Sequence, residues 1–157
     1  MGILLYRLNK KTNQAEVLLA HCGGPYWEHK DDGAWSIPKG RPLTPAEDPQ
    51  VTAIREFGEE VGQRLDLDEI REQMQPLGIS RSSKGNKITI WAVEGDFDLK
   101  NFSSNLFTME WPRKSGQMQQ FPEMDKADWF DVTTARRKMF PYQEEFIDRL
   151  EELLDKE

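Results

Sequence analysis

Apolar and polar positions alternate between two rhythms along this chain. Gly2 to Leu8 and Ala15 to His21 are short apolar runs around the polar stretch Asn9 to Gln14, and they predict two paired strands. Gly23 to Gly33 is rich in glycine, proline and charge and predicts a loop. A short strand is predicted over Trp35 to Pro38, and a helix over Pro49 to Val61. Leu77 to Ser82 and Lys87 to Glu94 flank Lys84-Gly85-Asn86 and predict a hairpin, with a further strand over Leu106 to Trp111. Ala127 to Phe130 predicts a strand leading into a short helix near Thr133 to Lys138. Phe146, Ile147, Leu150, Leu153 and Leu154 recur at helical spacing within Gln143 to Leu154, and that stripe is predicted to face the core. Strands interleaved with helices imply an α/β architecture.

One predicted helix carries unusual chemistry. Asp48 is placed to cap it, Pro49 suits its first position, and Gly62 suits its end. On a helical wheel Glu60 falls ~40° to one side of Glu56 and Glu59 ~60° to the other, which makes an acidic stripe. Ala53, Ile54, Phe57 and Val61 form the neighbouring apolar arc. Arg55 stands four residues before Glu59, a spacing at which the two can pair. The acids crowd the C-terminal half of the helix, where the dipole disfavours negative charge. Glu56 and Glu60 are also like charges at the i,i+4 spacing. A divalent cation would reverse both penalties, and hard carboxylate oxygens suit Mg²⁺, Mn²⁺ or Ca²⁺ better than zinc.

Glu47, seven further residues, and then Arg55-Glu56-Phe57-Gly58-Glu59-Glu60-Val61-Gly62 match the charged core of the Nudix box, so the chain resembles the Nudix hydrolase family. The pattern departs at two points. Six residues rather than five separate Gly40 from Glu47, the extra one lying in the loop stretch Arg41-Pro42-Leu43-Thr44-Pro45, and Gln63 stands where the pattern ends on an apolar residue. Trp35 to Gly40 resembles the family's lead into the box, and Asp128-Trp129-Phe130 its later strand, so the resemblance spans residues 1–157 as a single domain.

That resemblance implies an α/β/α sandwich with a mixed sheet. It also implies hydrolysis of a pyrophosphate bond in a nucleoside diphosphate-linked compound, such as a nucleoside triphosphate or dinucleoside polyphosphate, with Mg²⁺ or Mn²⁺ as cofactor. Glu56 and Glu60 become expected metal ligands, with Glu59 as a further ligand or the base, and the Gly40 carbonyl as a family-style ligand. Arg55 is expected to orient the carboxylates, with Glu47 behind it. Glu123, in the segment before the Trp129 strand, is a second candidate for base or metal ligand. Lys39, Arg81 and Lys87 are candidate phosphate contacts, and Tyr26 and Trp27 candidate base-stacking residues. Two alternatives stand beside this reading: a non-catalytic nucleotide-sensing Nudix domain and an RNA 5′ pyrophosphohydrolase. Retention of all four box acids favours the enzyme over the sensor.

Composition narrows the setting. Across 157 residues the formal charge is −7 with no long basic run, so a small-molecule nucleotide is expected as partner rather than nonspecific nucleic acid. Cys22 is the one cysteine, which rules out an intrachain disulfide and suits a reducing, cytoplasmic location. No apolar run approaches the ~18 residues of a membrane span.

Overall fold

Strand β2 (Ala15–Cys22) organises the sheet in the computed structural model, which describes residues 1–156. Along one edge it pairs antiparallel first with β1 (Gly2–Leu8), at Tyr6 opposite Val17, and then with the two-residue β3 (Trp35–Ser36), at Ala20 and His21. The long antiparallel strand β8 (Met124–Asp131) covers its other edge, from Glu16 opposite Asp131 to Cys22 opposite Met124. Strand β5 (Lys87–Glu94) joins β1 in parallel, with Gly2 opposite Ile90, and β4 (Gln75–Arg81) closes that side antiparallel to β5. The sheet is therefore mixed.

At its centre this sheet is buried on both faces, which is why β1 and β2 read as nearly continuous apolar runs. Leu4, Tyr6, Val17 and Leu19 point to one side and pack with Phe146, Ile147 and Leu150 of α4 (Glu144–Asp155). Ile3, Leu5, Leu18 and Ala20 point to the other and pack with Ala53, Phe57 and Val61 of α1 (Pro49–Val61). Helix–sheet–helix layering makes the fold an α/β/α sandwich, as expected. Two further α-helices, α2 (Leu67–Ile70) and α3 (Val132–Lys138), are short.

Three elements depart from the sequence reading. The strand expected over Trp35 to Pro38 pairs as a ladder only at Trp35–Ser36, because Pro38 has no amide to donate. Helix α2 was not foreseen: a single turn has no room for an amphipathic repeat. The largest departure precedes Trp129. Strand β8 begins at Met124 rather than Ala127, and the unforeseen β7 (Met118–Pro122) pairs with β6 (Leu106–Glu110) in a separate two-stranded ribbon. The Met-Gln-Gln-Phe-Pro sequence of β7 lacks the alternation that marks a half-buried strand. As a result Glu123 occupies not a loop but the single-residue link between β7 and β8.

Candidate active site

Helix α1 begins and ends on the residues that the sequence nominates. The Asp48 carboxylate accepts from the amides of Gln50 (2.9 Å) and Val51 (3.2 Å), satisfying two of the orphan donors of the first turn. Gly62 adopts φ 90°, the left-handed conformation of a helix stop, and its amide donates to the Gly58 carbonyl. The buried stripe of Ala53, Phe57 and Val61 fixes the helix rotation, which leaves Glu56, Glu59 and Glu60 along one flank.

Arg55 ties that flank together. Its Nη1 donates to Glu56 (2.8 Å) and Glu59 (3.2 Å), its Nε and Nη2 to Glu47 (3.2 and 3.0 Å), and its Nη2 also to the Arg41 carbonyl (2.7 Å). The Glu47 carboxylate also accepts from the Thr52 hydroxyl at 2.6 Å and the Leu43 amide at 3.0 Å. Arg55, then Thr52, hold the Glu47 carboxyl down at about 2, and Glu47 in turn holds the guanidinium protonated. The inserted loop is thus stitched to the helix at Arg41 and Leu43.

Glu60 lies deeper, only 6% exposed, and accepts from the Lys39 amide at 3.0 Å. Burial pushes its carboxyl up to about 8, and the charges of Glu123 and Glu56 add to the shift. Gly40 lies beside Glu56 so closely that a Cβ there would overlap the carboxylate. The extra loop residue therefore leaves the Gly40 backbone at the cluster, where its carbonyl accepts from the Met1 amino group at 2.8 Å.

Glu123, on the β7–β8 link, lies near enough to Glu56 and Glu59 for their charges to act on it. Burial raises its pKa first, and the Glu56 and Glu59 charges raise it further. A main-chain path sets its position: the Asn105 amide donates to the Glu59 carbonyl (2.8 Å), and the Glu123 amide to the Asn105 carbonyl (2.7 Å). The Gly23 amide adds a bond to the Glu123 carbonyl at 2.8 Å.

The remaining candidates are distributed elsewhere. Arg81 and Lys87 face each other across the β4–β5 hairpin, where Arg81 donates to the Gly85 carbonyl, and among the described residues neither contacts the acids. Trp27 is half-buried and packs edge-on against Phe140, so its ring serves the core. Tyr26 is 56% exposed with the Lys30 ammonium over its ring at 3.7 Å. Cys22 ends β2, and burial pushes its thiol up to about 12, which fits a packing role. Gln63, in place of the apolar residue, leaves its buried Oε1 without a partner among the described residues.

Sequence reasoning missed Thr52 and Asn105. Thr52 had a signal: a hydroxyl on the buried face beside Ala53 needs a hydrogen-bond partner. Asn105 acts through its backbone and leaves none.

The donor set fits a hard divalent cation: carboxylate oxygens from two elements, a carbonyl, and a glycine cradle that any side chain would fill. Among the described residues no three acids are gathered into a coordination shell, and Arg55 and the Lys39 amide bond the carboxylates of Glu56 and Glu60. No helix among those residues is long and apolar enough to cross a membrane. A cavity of about 790 Å³ between the β1–β2 turn and α3–α4 contains none of the cluster residues.

The family model for the NUDIX domain matches residues 1–150. Among solved structures, a C. elegans Ap4A hydrolase binary complex is similar over 99% of this chain and 98% of its own, with 19% identity and a TM-score of 0.62. The NUDIX domain of Shewanella oneidensis NrtR complexed with ADP ribose is similar over 98% of this chain and 85% of its own, with 14% identity and a TM-score of 0.60. The M. smegmatis Nudix hydrolase RenU is similar over 99% and 84%, with 20% identity and a TM-score of 0.52. No curated protein sequence matches. The chain belongs to the Nudix hydrolase family, whose enzymes are pyrophosphohydrolases that generally use divalent metal ions.

Proposed function

We infer that this chain hydrolyses a pyrophosphate bond in a nucleoside diphosphate-linked substrate, a nucleoside triphosphate or dinucleoside polyphosphate, with Mg²⁺ or Mn²⁺. The observation that carries this reading is the convergence of Glu56, Glu59 and Glu60 from one helix with Gly40 and Glu123 from two other segments. Such a cluster alone would repel a phosphate chain. Glu56 and Glu60, with Glu59 and the Gly40 carbonyl, would hold the cation, which supplies neutralisation of the phosphoryl oxygens.

The residues then divide the work. Arg55 fixes the rotamers of Glu56 and Glu59, Glu47 fixes Arg55, and Thr52 fixes Glu47. Glu123, from the β7–β8 link rather than from α1, takes the proton of the attacking water; a carboxyl with a raised pKa is a better base near neutrality. Lys39 places a positive charge near Glu60 and meets a phosphate oxygen. Residues 1–157 act as one Nudix domain in a reducing, cytoplasmic setting, consistent with the lone Cys22. The Ap4A hydrolase similarity favours a dinucleoside polyphosphate among the substrates.

The test is a screen of nucleoside triphosphates, dinucleoside polyphosphates, nucleotide sugars and 5′-triphosphate RNA with Mg²⁺ or Mn²⁺, read by product mass. Cleavage should occur within the phosphate chain and stop with excess chelator. Full turnover in chelator, with no metal in the protein, overturns the mechanism.

A further inference from the structure

The outer side of α1 holds a cavity of about 590 Å³, between the helix and the segment running from Gly62 to Leu67. Val51, Ile54, Leu65 and Leu67 give it apolar walls, and Arg64 and Asn105 add two polar groups. Arg55 and Glu59 also line it, so the cavity is continuous with the acidic cluster. Its size and its few polar groups among apolar walls are those of a small-molecule site.

Gly58 gives an independent pointer to a ligand. It lies inside α1 and lines this cavity. A glycine within a helix weakens it, because the unfolded chain gains freedom and no side chain packs. Neither backbone nor packing requires it here. Gly58 is not among the positive-φ glycines, and a Cβ there would meet only the Gln63 carbonyl, at an ordinary 3.5 Å. Gly40 and Gly62 differ, the first crowded by Glu56 and the second in the left-handed conformation. What the missing side chain at Gly58 preserves is the cavity.

Resting on the pyrophosphohydrolase reading, we propose that this cavity is a second nucleoside subsite, holding the nucleoside on the far side of the scissile bond in a dinucleoside polyphosphate. The aliphatic walls take the faces of the base, and the Asn105 amide, which can donate and accept, takes its edge. Arg64 is exposed and makes no side-chain hydrogen bond or ion pair among the described residues, so its guanidinium is available to the phosphate beside that nucleoside. That charge complementarity argues for a nucleotide over a purely apolar partner.

The experiment compares kcat/KM for diadenosine tetraphosphate with that for adenosine 5′-tetraphosphate, which keeps the phosphate chain and lacks the second nucleoside. Gly58→Leu fills the cavity while favouring the helix, and Arg64→Ala removes the charge with the cavity open. Each should lower the dinucleoside-to-mononucleoside ratio by roughly tenfold, mainly through KM. In wild-type protein, titrated adenosine 5′-monophosphate should shift the amide resonances of Gly58, Arg64 and Asn105. If both compounds are cleaved but neither variant moves the ratio, the subsite is wrong and the hydrolase reading stands. If neither compound nor any other pyrophosphate is cleaved, the hydrolase reading fails. A dimer broken by Gly58→Leu with the ratio unmoved assigns the cavity to a second copy of the chain and overturns the subsite.

Discussion

Gly40 and Glu56 are packed backbone against carboxylate, with no room between them for a methyl group. The contact explains why the box opens on glycine although its φ is not positive. Gly40→Ala should leave the fold intact, because the overlapping atoms are the far end of a side chain that can swing away. It should cut kcat/KM by about a hundredfold, as expected when a catalytic group is displaced by ~1 Å. Steady-state kinetics, with thermal melting alongside, test this; near-normal turnover would mean that Glu56 has no fixed role.

Thr52 should act as a positioning residue, through Glu47 and Arg55. Thr52→Val keeps the shape but removes the 2.6 Å bond to Glu47. Turnover should fall by roughly tenfold, the lower end of what supporting-shell changes cost, with KM little altered. Thr52→Ser restores the hydroxyl and should restore kcat. Equal losses in the Val and Ser variants would assign Thr52 to packing alone.

The sequence and the structure agree best where a periodic pattern is long. The box helix was legible over Pro49–Val61 because its caps, its apolar stripe and its fixed charges all point the same way. The strands β1 and β2 were legible because two-sided burial makes them nearly continuous apolar runs, and β5 because its buried Ile88, Ile90 and Ala92 alternate with more exposed residues. The depth of Glu60 was not: the wheel places it at the border of the stripe, and its burial and its bond from the Lys39 amide depend on a segment distant in the chain. Nor could the sequence give the ribbon that delivers Glu123, since β7 is polar and is held by backbone bonds to β6.

The buried Glu60 predicts how the metal-free protein responds to pH. Its folded pKa, about 8, lies above the ordinary 4.5, so between those values the folded state binds more protons than the unfolded state. Stability should therefore fall as pH rises from about 4.5 to about 8. Glu47 acts oppositely and at lower pH: its folded pKa of about 2 gives stability that is full above 4.5 and lost as pH falls through 2. Melting temperatures in chelator across pH 5 to pH 8 should decline for wild type, and flatten for Glu60→Gln. Added Mn²⁺ should flatten the wild-type curve, because a cation stabilises the ionised form. An identical decline in the variant would place its cause elsewhere.

Glu123 decides whether the chemistry is shared between two elements. Helix α1 can offer acids from one side of a phosphate chain only, whereas Glu123 approaches from the β7–β8 link, fixed through Asn105 to the helix backbone. Glu123→Gln preserves the shape and the main-chain bonds, so the fold should survive. Loss of a general base should lower kcat by roughly a hundredfold, and the deficit should shrink as pH rises and hydroxide becomes available. The choice of control matters. Asp125 is held at 2.8 Å by the ring of the buried His21, which also contacts the Lys30 carbonyl, so altering it would disturb the loop after β2. Glu110 lies exposed at the far end of the ribbon, where among the described residues its carboxylate accepts only from the Lys114 amide, and Glu110→Gln should retain full activity. If Glu123→Gln matches that control, Glu59 takes the role of base, and Glu59→Gln should then show the same pH-dependent rescue.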